Sequence, residues 1–243
     1  MFPEEGFRMD TTPHDSSFVR ATRLCPDTAT FAFTRSQGYR FMAGQYLSLT
    51  VDTHEGPQTH LFSHCNSPAD EEYLILTRLT GSAFKDALLA LEPGGRVTIA
   101  GPQGLLTVGE GVKRAAFLVG GVGVSPARSI VRDAAQRDSG LEALVFDGNH
   151  DESCIPLRDE FDGYARSHPG LRFVHVLEKP SDVWEGERGF ITADLVRRHC
   201  DPFDDWHWYV AGPPAMVTAM RVVLDDLGIP ESGISFEAFA GYK

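Results

Sequence analysis

AAFLVGGVGVSPARSIVRDA, residues 115–134, runs an apolar strand into a glycine turn and from there directly into an amphipathic helix. Ala115 to Val119 is short, apolar and bounded by glycine, the pattern of a strand buried on both faces of a parallel sheet. Gly120, Gly121 and Gly123, with Val124 after them, let the backbone turn sharply and leave room for a phosphate to approach main-chain N–H groups. Ser125 is expected to cap the helix and Pro126 to sit in its first turn, where a missing N–H costs nothing. A helix start attracts anions, so the stretch reads as a nucleotide-binding turn.

The same grammar returns in WHWYVAGPPAMVTAMRVVLDDLGI, residues 206–229: a strand ending at Ala211, a turn at Gly212 and Pro213, and a helix carrying Met216. ISFEAF, residues 234–239, follows as a further strand. From residue 113 onward strands are expected at 115–120, 141–147, 171–177, 206–211 and 234–239, with helices at 126–137, 156–167, 192–199 and 214–227. Such alternation implies a doubly wound parallel sheet of five strands with helices on both faces.

Residues 16–107 have a different texture, rich in β-branched and aromatic residues and broken by turn formers. Strands are expected near 16–25, 28–36, 45–51, 60–66, 73–79 and 96–102, forming a small antiparallel barrel or sandwich. One helix interrupts it. In SAFKDALLAL the residues Phe84, Ala87, Leu88 and Leu91 share a face behind a Ser82 cap, and Pro93, Gly94 and Gly95 end the run. The polar, glycine-containing stretch 108–114 marks the boundary, giving domains 1–110 and 111–243.

Lys plus Arg total 22 against 34 Asp plus Glu in 243 residues, a formal charge of -12, which repels phosphate backbones and anionic lipid. Neither nucleic acid nor membrane is expected as a partner. No apolar run approaches the roughly 18 residues of a membrane span, and MFPEEGFRMD lacks the features of a leader, so a cytoplasmic enzyme is expected. Cys25, Cys65, Cys154 and Cys200 lie far apart and read as four thiols, without the spacing of an iron-sulfur cluster. His60 and His64 fall in a segment that reads as a strand and not as a helix, where one turn would bring an i, i+4 pair together, and no metal is expected.

These turns resemble those of the ferredoxin-NADP reductase superfamily, in which a GG-x-G-x-x-P turn and a later GPP-x-M turn close on the nicotinamide nucleotide. The resemblance covers all but about the first dozen residues. It implies an N-terminal antiparallel Greek-key barrel for flavin ahead of the nucleotide-binding sheet. The family's R-x-Y-S flavin motif falls on His60, Leu61, Phe62 and Ser63. In the family the arginine pairs with flavin phosphate, the ring packs on the isoalloxazine, and the serine hydroxyl bonds near N5. His60 is a weaker, titratable substitute for a guanidinium, and Phe62 lacks a hydroxyl. LTRLTGSAFKDAL, residues 76–88, resembles the segment that receives the flavin pyrophosphate at a helix start, with Ser82, Ala83 and Phe84 at the turn. Thr77, Arg78 and Leu79 precede it, and Arg78 is expected to supply some of the charge lost at His60. EAFAGYK resembles the C-terminal acid-plus-aromatic segment beside the flavin, with Glu237 as the acid and Phe239 as the aromatic. Ala211 stands where many relatives carry a cysteine next to the nicotinamide.

The resemblance implies a reductase that takes hydride from NAD(P)H onto bound flavin and hands electrons to a separate acceptor: ferredoxin, an oxygenase component, a cytochrome or free flavin. Ser63 and Glu237 are the expected catalytic residues. FAD is expected over FMN, which stays open because FSHCN also resembles a form found in FMN-using relatives. NADH is expected over NADPH, because Asp147 ends the second strand of the sheet, where an acid accepts from a ribose 2'-hydroxyl and repels a 2'-phosphate, with Asn149 and His150 following it. Two other classes stay open: a non-redox or regulatory flavin-binding relative, and a methyl-transfer enzyme using the glycine turn.

Overall fold

The computed structural model describes residues 12–200, 202–203 and 205–239. The first half is an antiparallel sheet of six strands: β1 (Pro13–Cys25), β2 (Thr28–Thr34), β3 (Tyr46–Thr53), β4 (Gly56–Ser63), β5 (Glu72–Arg78) and β6 (Arg96–Gln103). Their order is β4-β3-β6-β1-β2-β5, and the two edge strands touch, which curls the sheet into a half-barrel. Alternation does the sorting: in β3 Leu47, Leu49 and Val51 turn inward to meet Phe31, Phe33, Ile75 and Ile99. Helix α1 (Ala83–Leu89) inserts Phe84 and Leu88 into that core, where each fully buried side chain contributes about 2–3 kcal/mol. Ser82 caps α1 as its sequence suggests, accepting from the Lys85 N–H.

The second half is wholly parallel: β7 (Arg114–Gly120), β8 (Glu142–Asn149), β9 (Leu171–Leu177), β10 (Glu187–Arg188), β11 (His207–Gly212) and β12 (Ile234–Ala238). The order is β10-β9-β8-β7-β11-β12, so the sheet has six strands where sequence suggests five. The extra strand, β10, is only two residues long and has no period to read. Ala116, Leu118, Leu144, Phe146 and Trp208 face a layer built with α4 (Ala193–His199) and α5 (Pro214–Asp226). Ala115, Phe117, Val119, Ala143 and Val145 face the other layer, with α2 (Val124–Arg137) and α3 (Arg158–Ser167). Chain progress reverses direction at β7, which has β8 on one side and β11 on the other. That switch point opens a crevice at the carboxyl ends of the strands.

Helix α2 also joins the halves, because its polar face meets the barrel segment after β4 instead of water. Arg128 donates to the Cys65 carbonyl and, at 2.9 Å, to Glu160 of α3. Ser129 Oγ donates to the Asn66 carbonyl at 2.6 Å, and Arg132 grips both oxygens of Asp70 at 2.7 and 2.8 Å. Such two-pronged, partly buried bonds fix orientation as well as distance. A disulfide between Cys25, at the end of β1, and Cys154, in the loop after β8, ties the halves covalently. The expectation of four thiols is therefore corrected to two, Cys65 and Cys200, both buried. Nothing in the spacing could have paired cysteines 129 residues apart.

Candidate active site

Strand β7 ends at Gly120, a single 3-10 turn covers Gly121–Gly123, and α2 begins at Val124. The glycines divide two tasks. A Cβ on Gly120 would stand 2.6 Å from the Gly148 carbonyl oxygen, and one on Gly123 would stand 2.5 Å from that of Ala211, so these two let neighbouring strands approach. Gly121, at φ 54, has open space where a Cβ would point, and its N–H donates to Asn149 Oδ1 at 3.2 Å. Asn149 Nδ2 is buried without a partner, a donor held ready at the crevice. Gly123→Ala is expected to cost about 1–3 kcal/mol of stability by overpacking and to weaken nucleotide binding at this turn, read by thermal melting and by titration.

Ser125 does not cap α2. The helix starts two residues earlier than sequence suggests, and the Ser125 hydroxyl instead donates to the Val122 carbonyl at 2.8 Å. Val124, Ser125 and Pro126 are all buried.

A cavity of about 880 Å³ opens over this turn. Gly120 and Gly121 form its floor, Asn149 and His150 one wall, and Pro213 and Met216 at the start of α5 the other. Its rim on the barrel side comes from Asp27, Thr28 and Arg78, so the cavity lies between the halves and has a size suited to a cofactor. A second hollow, about 1150 Å³, at the β9–β10 edge is lined by Phe173, Val174 and Trp184 and is not bordered by the Gly120–Gly123 turn, so the chemistry is assigned to the first.

Asp147 does not reach this cavity. It continues the face of Ala143 and Val145 towards α3, is 0 % exposed, and its carboxylate lies 3.2 Å from His175 Nδ1. The acids that border the cavity are Asp27, Asp151 and Glu178, and Glu178 meets His150 Nδ1 at 3.0 Å. Arg78 belongs to this rim as well: it bonds Asp27 at 2.7 Å and so does not supply charge at His60.

On the barrel side, Ser63 at the end of β4 donates its hydroxyl to Glu237 Oε1 of β12 at 2.8 Å, across 174 residues. Glu237 is the register partner of Ala211, just before the Gly212–Pro213 turn that walls the cavity. Burial raises the Glu237 carboxyl above its usual range, and the Ser63 hydrogen bond offsets part of that rise. Tyr46 pairs with Ser63 in register, and Gly104, at φ 92, packs so closely that a Cβ there would meet the Tyr46 ring at 2.7 Å. Ala211 is buried, and the Phe239 N–H donates to the Gly212 carbonyl at 3.0 Å. Residues 240–243 of the C-terminal segment lie outside the described residues.

The rest of the motif is arranged differently from the resemblance. Leu61 is 60 % exposed, whereas Phe62 is 6 % exposed and packs on Phe84. His60 lies flat on Phe84, ring centroids 4.1 Å apart. Phe84 is fully buried, so its side chain cannot meet a ligand, and Ser82 already caps its own helix, with Ala83 half-buried beside it. Leu79 anchors its N–H on the Asp27 carbonyl at 2.7 Å. Sequence reasoning missed Lys85, which is buried with Nζ 2.6 Å from Thr77 Oγ1 and 4.4 Å from the Phe62 ring centre. A signal was present, since Lys85 stands three residues before Leu88 on the inward face of α1.

Residues 117–222 match the family model for the oxidoreductase NAD-binding domain. The ferredoxin–NADP reductase B of Sorangium cellulosum (strain So ce56) is 28% identical over 240 residues, covering 93% of this chain and 98% of that protein. Together these findings support the ferredoxin–NADP reductase superfamily for this chain. Two further relatives extend the likeness. NADH-cytochrome b5 reductase 1 of Aspergillus terreus (strain NIH 2624 / FGSC A1156) is 28% identical over 197 residues, 76% of this chain and 67% of that one. The crystal structure of Amycolatopsis cytochrome P450 reductase GcoB superposes with a TM-score of 0.84 at 25% identity, covering 97% of this chain and 73% of that one. Like these ferredoxin–NADP reductase relatives, the chain is an oxidoreductase.

Proposed function

We propose that this protein oxidises NADH through a bound flavin, FAD in preference to FMN, and passes the electrons to a separate acceptor. The observation that carries the reading is the Ser63–Glu237 hydrogen bond, which joins the barrel to the nucleotide-binding sheet where the GPP turn borders the cavity. The residues present suit a planar, phosphate-bearing group on the barrel side. Leu61 offers exposed apolar surface, Ser63 a hydroxyl backed by a carboxyl, and Lys85 a buried ammonium with no carboxylate partner among the described residues. Bound flavin supplies a carrier that accepts two electrons with a hydride and releases them singly or together.

What the protein contributes is position and electrostatics. The glycine turn and Asn149 Nδ2 hold the nucleotide phosphates and ribose, and the walls at Pro213 and Met216 keep water from the nicotinamide. Such a site needs the reacting atoms held within about 3–3.5 Å, which Ser63, fixed by Glu237, serves by bonding at one end of the slot. The raised carboxyl of Glu237 keeps its proton to higher pH than an ordinary carboxyl, next to that hydroxyl.

NADH preference rests on Glu178 and Asp151 at the cavity rim, where a 2'-phosphate would meet like charge, and not on the buried Asp147. Purified protein is expected to show a flavin spectrum that NADH bleaches without oxygen, with a higher kcat/KM for NADH than for NADPH. A colourless protein that no flavin restores would remove the reading, and equal efficiency with NADPH would remove the preference. Among the described residues no helix is long and apolar enough to cross a membrane.

A further inference from the structure

Lys85 poses a problem that the reaction as described does not solve. Its side chain enters the barrel from α1 and is 6 % exposed. The ammonium makes one hydrogen bond, to the neutral Thr77 hydroxyl at 2.6 Å, and no carboxylate of the described residues lies within ion-pair reach. It stands 4.4 Å from the Phe62 ring centre and 5.2 Å from that of Phe84. Ring faces soften the isolation of a cation but do not neutralise it. A buried charge without a counter-charge is strongly unfavourable, and burial has pushed this ammonium down to about 8. A buried lysine lacking a carboxylate marks a place for an anionic ligand to meet it.

The neighbouring position sharpens the point. His60 occupies the place of the arginine that relatives direct at flavin phosphate, and its ring shares Phe84 with Lys85. Burial, with the positive charge of Lys85 next to it, holds His60 below the usual imidazole range, so it takes a proton less readily than a free imidazole. The principal cation of the cluster is Lys85, which lies on α1, whereas His60 lies on β4.

We propose that Lys85 is the phosphate-neutralising residue of the flavin site in this chain, taking over the electrostatic role that His60 cannot fill. The inference rests on the flavin reading given above. It makes Lys85 a specificity residue: the charge favours flavins that bear phosphate over riboflavin, which has the same ring and no phosphate.

The test compares FMN and riboflavin on the full-length protein, stripped of flavin and refilled, with dissociation constants taken from flavin fluorescence. Wild-type protein is expected to prefer FMN. Lys85→Met, which fills similar volume without charge, is expected to narrow that preference about 10- to 100-fold, the range of one hydrogen bond to a charged group, with riboflavin affinity unchanged. Lys85→Arg should keep most of the preference. An equal loss of FMN and riboflavin affinity in Lys85→Met, or an unaltered preference, overturns the proposal and leaves Lys85 a packing residue. Wild-type protein that takes up neither flavin overturns the flavin reading itself. Thermal melting of both variants accompanies the titrations, and a variant that melts early is replaced by Lys85→Gln.

Discussion

Replacing Ser63 with alanine is expected to slow NADH oxidation about 100-fold while the protein keeps its flavin, a loss of roughly 2.7 kcal/mol of transition-state stabilisation. The hydroxyl sits between Glu237 and the slot, so its contribution grows as charge moves during hydride transfer and is small in the resting state. Binding of flavin should change little, because the phosphate and ring contacts lie elsewhere. Anaerobic stopped-flow mixing with NADH, at measured flavin occupancy, reads the rate. Ser63 also joins the two halves, so a purely architectural role predicts something else: an earlier melting transition with normal reduction. An unchanged rate at full occupancy would leave Ser63 with that role alone.

Opening the Cys25–Cys154 bond is expected to lower stability by about 2–5 kcal/mol, which for a chain of this size moves the melting temperature down by roughly 4–20 °C. The closed loop is long, with 129 residues of separation, so the bond restricts the unfolded chain strongly. Cys25→Ser and a dithiol-treated wild type should melt alike, because both remove the same covalent tie. Denatured, unreduced protein should titrate two thiols, Cys65 and Cys200, and four after reduction. Four thiols before reduction would show the bond absent. The bond also borders the nucleotide cavity through Pro26 and Cys154, so the KM for NADH is expected to rise when it is opened.

Much of the architecture was legible because burial imposes a period. The strand RAAFLVG has no polar face since α2 and α5 cover both sides, and the glycines after it announce a turn that nothing bulkier can make. LSLTV alternates because that barrel strand has one inner face. What escaped reading depended on partners remote in sequence. Arg128 and Arg132 look like the solvated face of α2 until segment 65–70 of the barrel is laid against them. The two cysteines carry no local signal at all. Asp147 is instructive in another way. Its place at the end of β8 matches a nucleotide-binding acid, yet the strand's alternation already put it with Ala143 and Val145, and that face belongs to α3. Ser125 failed as a cap because a 3-10 turn let α2 start early, so the hydroxyl was spent inside the first turn.

The inward turn of Asp147 bears on how this protein could change over time. A carboxylate locked against His175 beneath the sheet cannot be exchanged without disturbing a buried pair, so it is a poor place for selection to alter coenzyme choice. The side chains that face the rim instead, His150 and Glu178, are 59% and 35% exposed and hold each other across a loop. Exposed positions of that kind tolerate substitution with little effect on folding. On the proposed reading, preference between the two nicotinamide coenzymes is thereby uncoupled from the integrity of the sheet, and a lineage, or an engineer, could rewrite it from the loops alone.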